Sequence, residues 1–332
     1  MNIRGLARLA TWDSFLGVVA VAVFAYSAYF VPGFLSSFNI SQAIAGVSEK
    51  ALIVLPMVFL IIAREIDLSV ASTLALTSVI FGVLIQAGMP LAAAIAVVLA
   101  CGAAAGALNG VLVALVGLPS LVVTLATLAM FRGAGYIILG SGSVNQLPES
   151  LTNFGIDNIG SSPIPWTIVP FLMLTPLFAI VLQRTAIGRR IYAIGGNPEA
   201  ARYSGVRVRR IRFWLFVTSG IICSIAGVVF TARLANARAN NAVGFELDII
   251  TIALLGGISV FGGKGRLTGV LWALALLAMI RNTLGLSLIG GDAQGTVIGL
   301  LLIGVLLFGS SVPRIVEQVR LAKHRSASRI PQ

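Results

Sequence analysis

Long apolar runs separated by short polar or Gly/Pro-containing turns fill the chain from Phe15 to Phe308. Runs near the roughly twenty residues needed to cross a bilayer predict transmembrane helices. They cover Phe15–Val31, Leu68–Gln86, Leu91–Val116, Ser120–Leu139, Trp166–Leu182, Phe213–Ala232 and Leu267–Leu284. Ala51–Ala63, Leu247–Phe261 and Gly295–Phe308 are shorter, and the first of these reads as a broken or extended span behind a polar connection, Phe34–Glu49. The pattern therefore predicts an all-α polytopic membrane protein of about ten transmembrane helices, some broken or short. Phe15–Val31 is too long for a signal-peptide core and lacks a small-x-small cleavage site, so it reads as a retained span. In Leu91–Val116 the glycines Gly102, Gly106 and Gly110 recur every four residues, leaving a helix face on which a neighbour can approach closely. Gly140–Pro165, rich in Asn and Pro, reads as an ordered external loop able to receive a soluble partner.

One polar stretch interrupts this pattern at length. Gln183–Arg212 holds eight of the twenty arginines and encloses a miniature helix. Asn197 can cap it, Pro198 suits its first position, Glu199 complements its positive end, and Gly205 can close it in a left-handed conformation. A helix of about two turns is marginal alone, so it reads as a docking helix held by packing or by a partner.

Composition narrows the class. The chain of 332 residues is 58% hydrophobic and 10% charged, with a mean hydropathy of +1.01, far from the roughly 25% charged of soluble domains. The formal charge of +12 lies mostly in termini and short turns, as orientation signals do, and does not indicate nucleic-acid binding. Counting crossings puts both termini, the 183–212 loop and the Lys264 turn on one face with eighteen of the 23 basic residues, Arg64 included. That face is expected to be cytoplasmic, with 313–332 a basic tail and 1–332 a single transmembrane domain.

Candidate chemistry is sparse. Cys101 and Cys223 lie in apolar runs, and the one histidine, His324, sits in the basic tail, so neither a metal site nor catalysis is indicated. Gly257–Gly265 superficially resembles a phosphate loop, but Ile258 occupies the required first glycine and Gly265 the magnesium-binding Ser or Thr. Arg64-Glu65-Ile66-Asp67-Leu68-Ser69 sets three charges between apolar runs. It reads either as a turn with a local ion pair or as a discontinuous helix facing a transport path. Asn109 reads as an interhelical hydrogen-bonding residue or a solute ligand, Thr124 and Thr127 as groups bonding back to their own helix, and Arg132 as a snorkelling side chain.

Five segments in order resemble a known family: Ile66-Asp67-Leu68-Ser69-Val70; Asn109-Gly110; Pro119–Thr127; Gly195-Gly196-Asn197 with Ala200-Ala201 and Ser204-Gly205; and Leu255-Gly256-Gly257 with Gly262-Gly263 and Gly265. Together, over about Asn39–Gly309, they are similar to the permease subunits of ribose/xylose/arabinose-type ABC sugar importers, with Gly244–Asp248 closest to the rhamnose or autoinducer-2 branch. The resemblance implies a permease dimer, identical or paired, in the bacterial inner membrane. It also implies a separate ATPase that uses ATP and magnesium while this chain binds no cofactor, and an extracytoplasmic sugar-binding protein. Gly195, Gly196, Asn197, Pro198, Glu199, Ala200, Ala201 and Gly205 would form the segment coupled to the ATPase. The chain departs from the family where Arg64, Glu65 and Ala71 replace glycines around the break, reducing the expected backbone freedom.

Within that resemblance the solute route is expected to be weak and transient, with Asp67, Ser69, Asn109 and Thr124 as its candidate residues. The contrasting class is a stand-alone secondary transporter or channel. It is disfavoured because only Arg132 and Arg281 are charged within the predicted spans, every acid being placed at a loop or break.

Overall fold

The computed structural model describes residues 12–291, 293–297, 299, 300 and 303. Within them the chain is helical apart from connections and two isolated bridges. Thirteen α-helices follow in order: α1 Trp12–Phe30, α2 Ser37–Ala45, α3 Ser48–Ile62, α4 Val70–Gln86, α5 Leu91–Gly110, α6 Ser120–Leu139, α7 Glu149–Ile156, α8 Val169–Arg184, α9 Ala186–Gly196, α10 Pro198–Tyr203, α11 Val208–Leu234, α12 Phe245–Leu255 and α13 Leu267–Leu286.

Among the described residues, seven helical stretches are long and apolar enough to cross a membrane: Trp12–Phe30, Ser37–Ile62, Leu91–Val116, Ser120–Leu139, Trp166–Arg184, Val208–Leu234 and Leu267–Leu286. α4 is apolar but shorter, at 17 residues, about 26 Å. The expected span 247–261 is represented by the 11 residues of α12, about 16 Å, which end at Gly256 and the positive-φ Gly257. The expected span 295–308 and the tail 313–332 fall largely or wholly outside the described residues.

The polar connection expected over Phe34–Glu49 is instead mostly helical. Its polar groups turn to partners: Asn39 exchanges amide bonds with Asn282, and Ser41 donates to Asn158 Oδ1 at 2.6 Å. Those contacts let α2 and α3 form one run of 26 residues.

α3 is the axis of the molecule, since all 15 of its residues are buried. Beyond its first turn it is apolar on every side, as suits a helix inside a bundle, and α8, α11 and α12 pack against it. α11 lies on α5 through glycine, as the spacing predicts. A Cβ on Gly102 would overlap Ser224 Oγ and the Gly220 carbonyl, and one on Gly106 would overlap the Phe216 carbonyl. α5 continues into a π-helical turn, Val111–Val116, that ends at Gly117 with φ of 91°. Large apolar side chains such as Phe24, Ile137 and Met173 are exposed on the outer helices, as lipid-facing positions require.

Arg132 is not a snorkelling residue. Its guanidinium donates to the Ala239 and Asn241 carbonyls, so it pins the loop before α12.

Candidate functional site: a helix break tied to a capped surface helix

The first feature is α10. Asn197, extended at φ −155°, ends α9 and caps the next helix, its Oδ1 accepting from Glu199 N at 3.0 Å and Ala200 N at 3.1 Å. Pro198 occupies the opening turn, and Gly205 follows the end with φ of +81°. Only Ala201 of α10 is buried. Tyr203 is 84% exposed, so the helix presents almost its whole outer surface.

The second feature is the junction beneath it. Arg64 Nε donates to Gly195 O and Nη2 to Gly196 O, both at 2.7 Å, placing a cation on the last carbonyls of α9, where the helix dipole favours it. Gly263 N donates to Ile62 O at 2.9 Å. A Cβ on Gly195 would overlap both Ile62 O and Gly263 N. Three segments distant in sequence therefore meet backbone to backbone, and glycine is required because no side chain fits. Arg64 itself holds φ of 66°. Where the resembled family has glycine, this chain keeps a glycine-like backbone with an arginine, whose hydrogen bonds repay the strain.

The third feature is the break, residues 63–69. Glu65 pairs with Arg212 of α11 at 2.8 Å. Burial pushes the Glu65 carboxyl above its ordinary pKa, while Arg212 and Ser120 pull it back. Ser120 Oγ accepts from Ile66 N at 3.2 Å, and Thr124 Oγ1 donates to Ile66 O at 3.2 Å, tying the break to α6. Asp67 accepts from Ser69 N at 3.0 Å, from Ser69 Oγ at 2.6 Å and from Ser219 Oγ of α11 at 3.0 Å. Asn109 Nδ2 donates to Ser69 Oγ at 2.8 Å, while its Oδ1 is buried without a partner.

The four residues expected along a solute route are thus gathered around one break. Asp67, Ser69, Asn109 and Thr124 are 3%, 0%, 1% and 0% exposed; the first three are linked by hydrogen bonds through Ser69, and Thr124 joins the same break through Ile66 O. Ser120 and Ser219 complete it. Ser120 falls within the Pro119–Thr127 segment and Ser219 within an apolar run, and in neither place does a serine carry a signal of its own. Residues 63–69 lie outside helix, between the end of α3 and the start of α4. The ion pairing is not local, since Glu65 reaches α11 and Arg64 reaches α9.

A second polar constellation lies toward the other end. Lys50 Nζ is 2.7 Å from Asp248 Oδ2, Arg281 Nη2 is 2.5 Å from Asp248 Oδ1, and Arg233 Nε is 2.7 Å from Glu49 Oε1. Lys50 also sits over the Phe245 ring, 4.3 Å from its centroid. These groups adjoin a cavity of about 430 Å³ lined by Asn39, Gln42, Lys50, Arg281, Asn282 and Gln294 among others. The expectation that every acid would sit at a loop or break fails here, because Glu49 and Asp248 are helical and buried. Among the described residues no cluster of three His, Cys, Asp or Glu side chains could hold a metal ion.

A multi-pass helical bundle, with a capped surface helix joined to an internal helix break, defines a membrane transport permease. The chain belongs to the family described as branched-chain amino acid transport system / permease component, whose model matches residues 39–306. It is 34% identical to the L-arabinose transport system permease protein AraH of Escherichia coli (strain K12), over 90% of each chain. It is 35% identical to the ribose import permease protein RbsC of the same strain, over 78% of this chain and 81% of that one. The autoinducer 2 import system permease protein LsrD of Photorhabdus luminescens is 31% identical over 81% of this chain and 82% of that one. No solved structure matches the chain.

Proposed function

We propose that this permease passes a monosaccharide or similar polyol-like solute into the cytoplasm as the membrane subunit of an ATP-driven importer. α10 seats in a groove of a separate ATPase, an extracytoplasmic binding protein delivers the solute at the opposite face, and a second permease subunit completes the path. The observation that carries the reading is the continuity from α10 through the Gly195–Arg64 junction to the break at Asp67. A push on the exposed helix is delivered directly to the hydrogen bonds that close the bundle centre. Family membership carries the importer reading over a stand-alone carrier, since buried acids do occur within helices.

On this reading the amide-lined cavity beside Lys50 and Arg281 receives the solute, and the Asp67 knot is the constriction it must pass. Asn and Gln side chains supply both donors and acceptors for hydroxyl groups. The cavity of about 430 Å³ falls in the usual range for small-molecule sites.

The test is Gly205→Val. Nothing lies within 4 Å of a Cβ there, but φ is +81°, so the effect is backbone strain of about 1 kcal/mol or more. At matched membrane abundance, uptake and ATPase retention should both fall, with Glu199→Ala showing the same change more weakly. Wild-type values for Gly205→Val in both assays would remove α10 from the mechanism. Orientation is checked separately: cysteines placed at Ser204 and at Asn153 should react with an impermeant thiol reagent from opposite sides, and same-side labelling would overturn the topology.

A further inference from the structure

We infer that the groove between α3, α8 and α11, beside the coupling helix, is a binding site for one anionic phospholipid from the leaflet on the α9–α10 side. The groove encloses about 710 Å³. Pro56 and Phe59 of α3, Phe178 and Val181 of α8, and Ile211 and Leu215 of α11 line its apolar part. At its rim stand three guanidinium groups: Arg190 on α9, Arg207 before α11, and Arg210 in the first turn of α11. All three are exposed, and none enters an ion pair among the described residues.

Three like charges around one opening repel each other unless an anion sits among them. The start of α11 adds to that field, since it has neither a side-chain cap nor an acid in its first turn. The lining settles which anion. From Arg210 to Thr218, α11 borders the groove over eight residue steps, about 12 Å at helical rise. The apolar part therefore lies beside residues of the spanning segments, beyond the reach of a soluble acidic partner. An occupant with a phosphate head at the surface and an acyl chain alongside α8 and α11 satisfies both halves, and basic pockets between helices at this depth are suited to such headgroups. Trp214, 54% exposed at the groove, is an amphipathic ring of the kind favoured at headgroup level. Because Gly205 and Arg207 border the same groove, the lipid would brace the segment joining α10 to α11.

The experiment uses the detergent-purified full chain in nanodiscs of dioleoylphosphatidylcholine doped with dioleoylphosphatidylglycerol, with retained lipid read by native mass spectrometry. Wild type should keep one phosphatidylglycerol selectively. Arg190→Ala, Arg207→Ala and Arg210→Ala combined should weaken retention about a hundredfold, and the corresponding triple Lys variant should restore most of it. A control removing the same charge outside the groove, Arg184→Ala with Arg189→Ala and Arg209→Ala, should leave the retained lipid in place. Equal loss in the control would reduce the effect to diffuse surface charge and overturn the site. Unchanged retention in the groove triple would do the same, as would a Trp214→Cys permease–permease disulfide in membranes, which would make the groove an interface between copies.

Discussion

The two polar regions of this bundle bury charge in opposite ways. Toward one end, Glu49, Lys50 and Asp248 are 0%, 6% and 8% exposed, and each has an opposite charge within 2.7 Å. At the helix break, Asp67 is 3% exposed and enters no ion pair among the described residues, resting on two serine hydroxyls and one backbone amide. Paired ions lock geometry, because separating them strands a charge in a medium that solvates it poorly. A carboxyl held by short neutral donors can be released one bond at a time, each of modest net strength. Under the proposed function, the paired ions would serve as the anchor and the helix break as the gate.

The largest effect expected from this contrast is at the anchor. Asp248→Asn removes the carboxylate that Lys50 and Arg281 share and leaves Lys50 only its weaker attraction to Glu49, so the folded protein should lose about 3–5 kcal/mol. The readout is membrane abundance and thermal unfolding in detergent. A variant as abundant and heat-stable as wild type would show that the ion cluster anchors nothing.

Asp67→Asn should behave differently. The amide oxygen still accepts from Ser69, and the amide nitrogen can donate to Ser219 Oγ, so stability should fall only about 1 kcal/mol. Uptake should nonetheless drop by more than its abundance does, because the order in which the knot opens has changed. An unfolding temperature lowered as far as in Asp248→Asn would erase the distinction between the two regions.

The capped helix α10 and the helix break beneath it are far more legible in the sequence than the ion cluster. Asn197, Pro198 and Gly205 carry local rules of capping and backbone conformation, and the structure obeys them within one turn of chain. The glycine row of α5 and the interhelical bond of Asn109 follow from spacing and residue type. The anchor depends instead on partners far apart: Lys50 meets Asp248, and Glu49 meets Arg233. No periodicity links such positions, so Glu49 and Asp248 read as loop acids. The same blindness made Phe34–Glu49 look like a connection and Arg132 like a lipid-seeking side chain, since Asn282, Asn158 and the Ala239 carbonyl are supplied by remote chain. Helix count suffered for a related reason: α4 and α12 are shorter than the bilayer is thick, and hydropathy alone does not say where such helices end.

A comparably small stability change, and the most diagnostic functional one, is expected at the junction joining α10 to the helix break. Arg64→Gly relieves a left-handed residue, returning about 1–2 kcal/mol, and removes two charge-assisted hydrogen bonds to Gly195 O and Gly196 O. Such bonds contribute about 1.5–3 kcal/mol each when shielded, but the Nη2 bond is solvent-exposed and is worth less. The two effects nearly cancel, leaving a net loss of about 1 kcal/mol. Abundance and unfolding temperature should therefore stay close to wild type, while displacement of α10 no longer reaches residue 64 through the guanidinium. In proteoliposomes with the ATPase and binding protein, ATP hydrolysis should continue and uptake per ATP should fall. Arg64→Lys keeps the backbone strain and loses the two-pronged grip, so it should be less stable than Arg64→Gly and no better coupled. Wild-type uptake per ATP in Arg64→Gly would mean that the break is driven through another contact, such as the path from Tyr192 of α9 to Gly265 and from Gly263 to Ile62.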